Sequence, residues 1–164
     1  MTTSSADPAA FRPHDHGRCR GEALATAAAI CRARGLRLTP ARAFALEALL
    51  ESHRATTAYE LLDRLRAAGL GGQPPVAYRA LEFLVENGFA HRIERLGAYV
   101  ACTGDAAEHP AGFMICRRCR RVAETALEAP APELGAQAAA AGFTVERIVV
   151  EAEGICAGCR NAAA

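Results

Sequence analysis

Apolar positions follow helical spacing through the first half of the chain and give way to short strand-like runs after Gly88. Arg18–Arg34 reads as a helix stopped by Gly35. Thr39-Pro40 starts a second: Thr is an N-cap, and Pro tolerates the first turn, where an N–H would lack a partner. That helix runs on through Phe44, Leu46, Leu49 and Leu50. Thr57-Ala58-Tyr59-Glu60 has capping-box spacing and opens a third helix ending near Gly69. Pro74-Pro75 opens a fourth, stopped by Gly88. Within it Ala77, Ala80, Leu81, Leu84 and Val85 predict a buried stripe, with Tyr78, Arg79 and Glu82 off it. Phe89–Ile93 and Tyr99–Cys102 read as strands around a turn at Leu96-Gly97. Helices followed by a hairpin predict a winged helix-turn-helix.

The second half reads as a small α/β unit. Thr103–Gly112 is small and polar, a linker. Strands are predicted at Phe113–Cys116 and Val122–Leu127, then a helix at Glu133–Ala141 ended by Gly142, then a strand at Phe143–Glu151. The expected class is α+β. The expected division is a disordered tail (1–17), a winged helix (18–102), a hinge (103–112) and a second domain (113–164).

Charge refines this picture slightly. Net charge is only +1, and every one of the 19 basic residues is arginine. From Arg18 to Gly97 there are 12 Arg against 8 Asp and Glu, a balance of +4; from Ala98 onward 6 stand against 8, or −2. A first half facing an anion fits that asymmetry. No run is long enough to span a membrane, and Met1–Gly17 has no apolar stretch of the kind a signal peptide needs. The expected location is the cytoplasm, where thiols stay reduced and paired cysteines more often mean metal than disulfides.

Two such pairs carry the strongest chemistry. Cys116-Arg117-Arg118-Cys119 and Cys156-Ala157-Gly158-Cys159 each place two thiols three residues apart. Four thiolates close a tetrahedral shell, the pattern of structural zinc. Alternatives are a disulfide, a redox pair or chance; a redox pair usually opens a helix, and both pairs here follow predicted strands. A closed shell has no open position for water, which argues against a zinc hydrolase. His109 is followed by Pro110 and Ala111, so the His-x-Glu of zinc deaminases is absent. Cys31 reads as a core residue, and His14, His16 and Cys19 as a solvated tail or a tail metal site.

Pro74-Pro75-Val76-Ala77-Tyr78-Arg79-Ala80-Leu81, then Asn87-Gly88-Phe89, His91, Cys102 and the two thiol pairs, come in an order that resembles the ferric uptake regulator family, and within it the zinc uptake regulators. Leu38-Thr39-Pro40, Arg42 and Ala58–Arg66 extend the likeness, which runs from about Glu22 to Cys159. Val76-Ala77 departs from it, standing where the family usually has Thr and a β-branched residue.

The resemblance implies a repressor that binds an inverted-repeat DNA operator as a homodimer and shuts off zinc uptake when zinc is plentiful. It implies two Zn²⁺ per subunit, one structural and one regulatory, the latter held by His91, Cys102, His109 and Glu124. Two imidazoles, a thiolate and a carboxylate suit Zn²⁺ better than Fe²⁺ or Mn²⁺. From the residues alone, His91 reads first as a phosphate-touching wing residue, Cys102 as a small buried hydrophobe, and Glu124 as a solvated strand residue. The resemblance also implies DNA contacts by Tyr59, Tyr78, Arg79, Arg42 and Arg92. Arg79 is placed to read guanine or, alternatively, to touch phosphate; for Tyr59 the alternative is core packing. Asp63 and Arg66 would join two dimers on one operator, or else pair within their own helix. Competing functions are an iron, manganese or peroxide sensor of the same family, and a zinc-stapled protein-interaction adaptor.

Overall fold

The computed structural model describes residues 9–11, 15–102, 111–127 and 131–162. Helix α1 spans His16–Ala33. It starts before the predicted Arg18 because Asp15 caps it, its carboxylate accepting the Arg18 N–H at 3.1 Å. Such a cap is worth about 1 kcal/mol. Helix α2, Pro40–Leu50, is capped by Thr39. Helix α3, Ala58–Ala67, opens on a reciprocal box: the Glu60 carboxylate accepts the Thr57 N–H at 2.7 Å, and the Thr57 hydroxyl accepts the Glu60 N–H at 3.2 Å. The Thr57 N–H holds the Glu60 carboxyl below its ordinary pKa.

Helix α4 spans Pro74–Glu86 and buries Ala77, Ala80, Leu81, Phe83 and Leu84. The stripe differs from expectation in including Phe83 and leaving Val85 half-buried. Phe83 is held between the Phe89 ring, 6.3 Å away, and the Arg42 guanidinium, 3.9 Å above it. Tyr78, Arg79 and Glu82 are exposed, as the spacing predicts. Leu49, Leu61, Leu65, Leu81 and Leu84 lie almost wholly inside the helical core, as does Cys31. Each buried leucine stabilises the fold by about 1.5–3 kcal/mol.

The wing consists of strands β2, Ala90–Ile93, and β3, Ala98–Ala101, antiparallel across a 3-10 turn at Glu94–Leu96. Gly97 closes that turn at φ 55°, a left-handed backbone that glycine adopts at no steric cost. A further strand, β1 (Thr56–Thr57), pairs with β3 and makes a three-stranded sheet in the order β1-β3-β2. Two residues are too few to leave a periodic signature, so the sequence did not announce it.

A second sheet has the order β5-β4-β6. Strand β4 is Ala111–Cys116 and β5 Val122–Ala126, antiparallel to it; β6, Val150–Gly154, runs parallel. Strand β4 thus begins inside the predicted linker, whose residues 103–110 lie outside the described residues. Helix α5, Pro132–Ala140, and a short α6, Ala157–Asn161, complete the unit. The predicted last strand, Phe143–Glu151, is corrected: the ladder starts at Val150 and continues to Gly154. Phe143–Val149 keeps an alternating apolar face, but no neighbouring strand among the described residues pairs with it. In the tail, Ala9–Phe11 forms a 3-10 turn with Ala10 buried, and it packs on β5.

The two sheets meet in a second core. Ala55, Ile93, Ala98 and Val100 pack against Phe113, Ile115 and Val122. Backbone bonds stitch the same seam: the Ala55 N–H donates to the Arg120 carbonyl at 3.2 Å, and the Val122 N–H to the His53 carbonyl at 2.8 Å. Among the described residues no helix is long and apolar enough to cross a membrane.

Candidate metal centres and DNA face

Strand β4 ends at Cys116 and turns back sharply, the Arg120 N–H donating to the Cys116 carbonyl at 2.8 Å. Arg120 takes φ 60° to make this turn, a left-handed conformation costing a non-glycine roughly 1–2 kcal/mol. Strand β6, parallel to β4, delivers Cys156 to the same end of the sheet. The sulfurs of Cys116, Cys119, Cys156 and Cys159 consequently lie within 4.8 Å of one another. Cys119 Sγ and Cys156 Sγ are 3.9 Å apart. Zn–S bonds of about 2.3 Å at tetrahedral angles require sulfurs near 3.8 Å, so this donor set fits zinc.

The thiols are not equivalent. Burial pushes the Cys116 pKa up, but the backbone N–H groups of Cys119, Cys156 and Arg118 outweigh it and bring it down to about 6. Desolvation and the neighbouring thiols push Cys159 up to about 12, and burial raises Cys119. The Cys116 thiolate thus stands beside two thiols, Cys119 and Cys159, that hold their protons more tightly than usual. Metal binding must release those protons.

A second cluster bridges the two sheets. His91 on β2, Cys102 just past β3 and Glu124 on β5 present one ligand atom each, all within 4.8 Å of one another. His91 Nε2 is 3.0 Å from Glu124 Oε1, and Cys102 Sγ is 4.0 Å from the same oxygen. The Phe113 ring lies 5.1 Å from the imidazole. Desolvation lowers the His91 pKa, but Cys102, Glu124 and the Glu124 charge together raise it to about 9. Imidazole, thiolate and carboxylate form a borderline-soft set that suits Zn²⁺. His109, expected as a fourth ligand, lies outside the described residues, as do His14 and the side chains of His16 and Cys19.

Of the expected DNA residues, Tyr59, Tyr78 and Arg92 come together around a cleft of about 660 Å³ between α3, α4 and the wing. Tyr59 is 68% exposed and Tyr78 40%, so neither ring serves the core. Arg79 is exposed and folds back to the Pro75 carbonyl at 3.2 Å. Arg92 pairs with Glu94 at 3.2 Å. Arg42 is occupied, stacked on Phe83 and donating to the Arg37 carbonyl at 2.7 Å. Asp63 and Arg66 pair with each other at 2.9 Å on the exposed face of α3. The sequence reading missed Phe113 as the wall behind His91 and Glu151, whose carboxylate reaches the wing; neither has a motif to reveal it.

No family model matches the chain. It is 42% identical over 139 residues to the zinc uptake regulation protein of Escherichia coli K12, covering 84% of this chain and 81% of that protein. A zinc uptake regulator solved with zinc and DNA superposes with a TM-score of 0.82 at 40% identity, covering 88% of this chain and 97% of its own. For the regulator XcZur, the holo structure superposes with a TM-score of 0.73 (39% identity, 92% of this chain, 100% of that one). Its apo structure reaches only 0.50 (38%, 87% and 99%). The arrangement of this chain is thus nearer the holo form. With this identity over most of its length and the same fold, the chain belongs to the ferric uptake regulator family, among its zinc uptake regulators.

Proposed function

We propose that this protein is a zinc-responsive transcriptional repressor that binds an inverted-repeat operator when zinc-loaded and silences zinc uptake genes. The observation that carries the reading is the convergence of His91 and Cys102 from the wing with Glu124 from the second sheet. Ligands drawn from two units can share an ion in one relative arrangement only, so occupancy selects that arrangement. Zinc bound there supplies the tie between them; His109 is the proposed fourth ligand. The wing and α4 are thereby held in one pose, with Tyr59, Tyr78 and Arg92 around one cleft and Arg79 on the exposed face of the helix.

In this reading the four thiolates hold a second, structural zinc, giving two ions per subunit. The division is a winged-helix domain to residue 102 and a dimerisation domain from about 113. The exposed apolar side chains of Leu134, Phe143, Val145 and Val149 support a homodimer, since Phe143–Val149 alternates like a strand that lacks its neighbour. The working compartment is the cytoplasm, and Asp63 and Arg66 join two dimers on one operator.

The test is Cys102→Ser assayed by gel shift with buffered Zn²⁺ and DNA from upstream of a zinc transporter gene. The variant should keep its dimer and structural zinc and lose zinc-dependent binding. Binding like the parent at every zinc level would overturn the regulatory assignment.

A further inference from the structure

Residues directly opposite one another across a sheet place their side chains on the same face. Phe113 on β4 stands opposite Glu124 on β5 and opposite Glu151 on β6, so the three form one rung. Ile115 stands opposite Val122 and Glu153, two residues further along, so this rung shares the face. Every one of these six side chains touches the wing or its packing. Glu124 meets His91, Phe113 lies against the same imidazole, and Ile115 and Val122 pack with Ile93, Ala98 and Val100.

The β6 end of the two rungs is polar. The Glu151 carboxylate accepts the backbone N–H of Glu94 at 2.7 Å through one oxygen and that of Arg95 at 2.9 Å through the other. Both N–H groups belong to the 3-10 turn at the wing tip, where the first donors have no partner within the turn. Glu153 adds an ion pair to Arg95 at 3.1 Å. Bonds from a carboxylate to two N–H groups are among the stronger hydrogen bonds, and their geometry demands one position of the wing.

We infer that Glu151 is a positioning residue that straps the wing tip to the sheet and sets the zinc level at which the protein engages DNA. The strap holds the wing at the far end of the rung that carries Glu124. His91 and Cys102 are then already beside Glu124 before an ion arrives. Without the strap, a smaller fraction of molecules presents a formed site, and apparent zinc affinity falls by that fraction. This inference rests on the proposed bridging metal site, so its test must separate the two.

The full-length dimer is compared with Glu151→Ala and Glu151→Gln in two measurements: amide exchange at Glu94 and Arg95, and operator binding across buffered Zn²⁺. Glu151→Ala should expose both amides to faster exchange and move the zinc midpoint up about tenfold, while Glu151→Gln, keeping one acceptor oxygen, should move it about threefold. Structural zinc content, dimer mass and operator affinity at saturating zinc should match the parent, which a general loss of structure would not allow. Arg95→Ala, which removes only the Glu153 arm, should give a smaller shift than Glu151→Ala. Unchanged exchange at both amides, or an unchanged midpoint in Glu151→Ala, overturns the inference. A parent whose operator binding ignores zinc overturns the bridging-site reading and with it the zinc-setting role of Glu151; unchanged amide exchange in Glu151→Ala overturns the strap itself.

Discussion

Phe113→Ala probes the seam between the sheets most directly. Phe113 is 5% exposed and sits among Ile93, Ala98 and Val100 of the wing, with its ring beside His91. Removing a buried phenylalanine ring costs about 3–5 kcal/mol, part of it transfer to water and part the cavity left behind. Loss of the ring contact with His91 accounts for about 0.5–1.5 kcal/mol of that. Most of the loss falls on docking of the wing, because Phe113 faces the wing rather than the interior of its own sheet. Each 1.4 kcal/mol is about a factor of ten in a population, so a loss of roughly 3 kcal/mol multiplies the undocked fraction by more than a hundred. Denaturant unfolding should be followed both by far-ultraviolet circular dichroism, dominated by the helices, and by release of the zinc proposed at the four thiolates. In the parent the two probes should coincide; in Phe113→Ala they should separate, the mark of lost two-state coupling. A loss below about 1 kcal/mol with coincident probes would refute the claim that Phe113 couples the two units.

Cys119→Ser should release the proposed structural zinc and abolish the proposed dimer, because a four-thiolate zinc site contributes on the order of 10 kcal/mol to folding; a metal-loaded dimer by mass spectrometry would contradict this. With the bridging site stripped of metal, His91 has its pKa raised above the ordinary 6.5 to about 9. Its stabilisation is therefore fully present below pH 6.5 and is lost as pH rises through about 9, a slope that His91→Gln should lack in parallel pH-dependent melts. Arg79→Ala should weaken operator binding by roughly 1–3 kcal/mol and relax preference at one base pair, and a uniform loss over all sequences would make Arg79 a phosphate contact. Asp63→Arg and Arg66→Asp should each abolish cooperative binding of two dimers, and mixing them should restore part of it by unlike-dimer contacts. If the mixture gains nothing, the 2.9 Å pair within α3 is the whole role of these residues.

Local chemistry made much of this molecule legible from its sequence. Thr39-Pro40 and the Thr57–Glu60 box start their helices where capping physics requires, since a cap acts over three or four residues. The stripe of Ala77, Ala80, Leu81 and Leu84 followed from helical period, and the exposure of Tyr78 and Arg79 followed with it. The two thiol pairs were visible because a tight turn needs only three residues to present two ligands. What the tertiary structure decided was everything that depends on register between distant segments. Parallel pairing of β6 with β4 brings Cys156 and Cys159 to Cys116 and Cys119 across 40 residues of chain. The same register puts Glu124, Phe113 and Glu151 on one rung against the wing. No periodicity encodes this pairing, because a strand's alternation fixes which face a side chain takes but not which partner it meets. The missing ladder at Phe143–Val149 has the same cause: the sequence sets an extended apolar face, and only a neighbouring strand makes it part of a sheet.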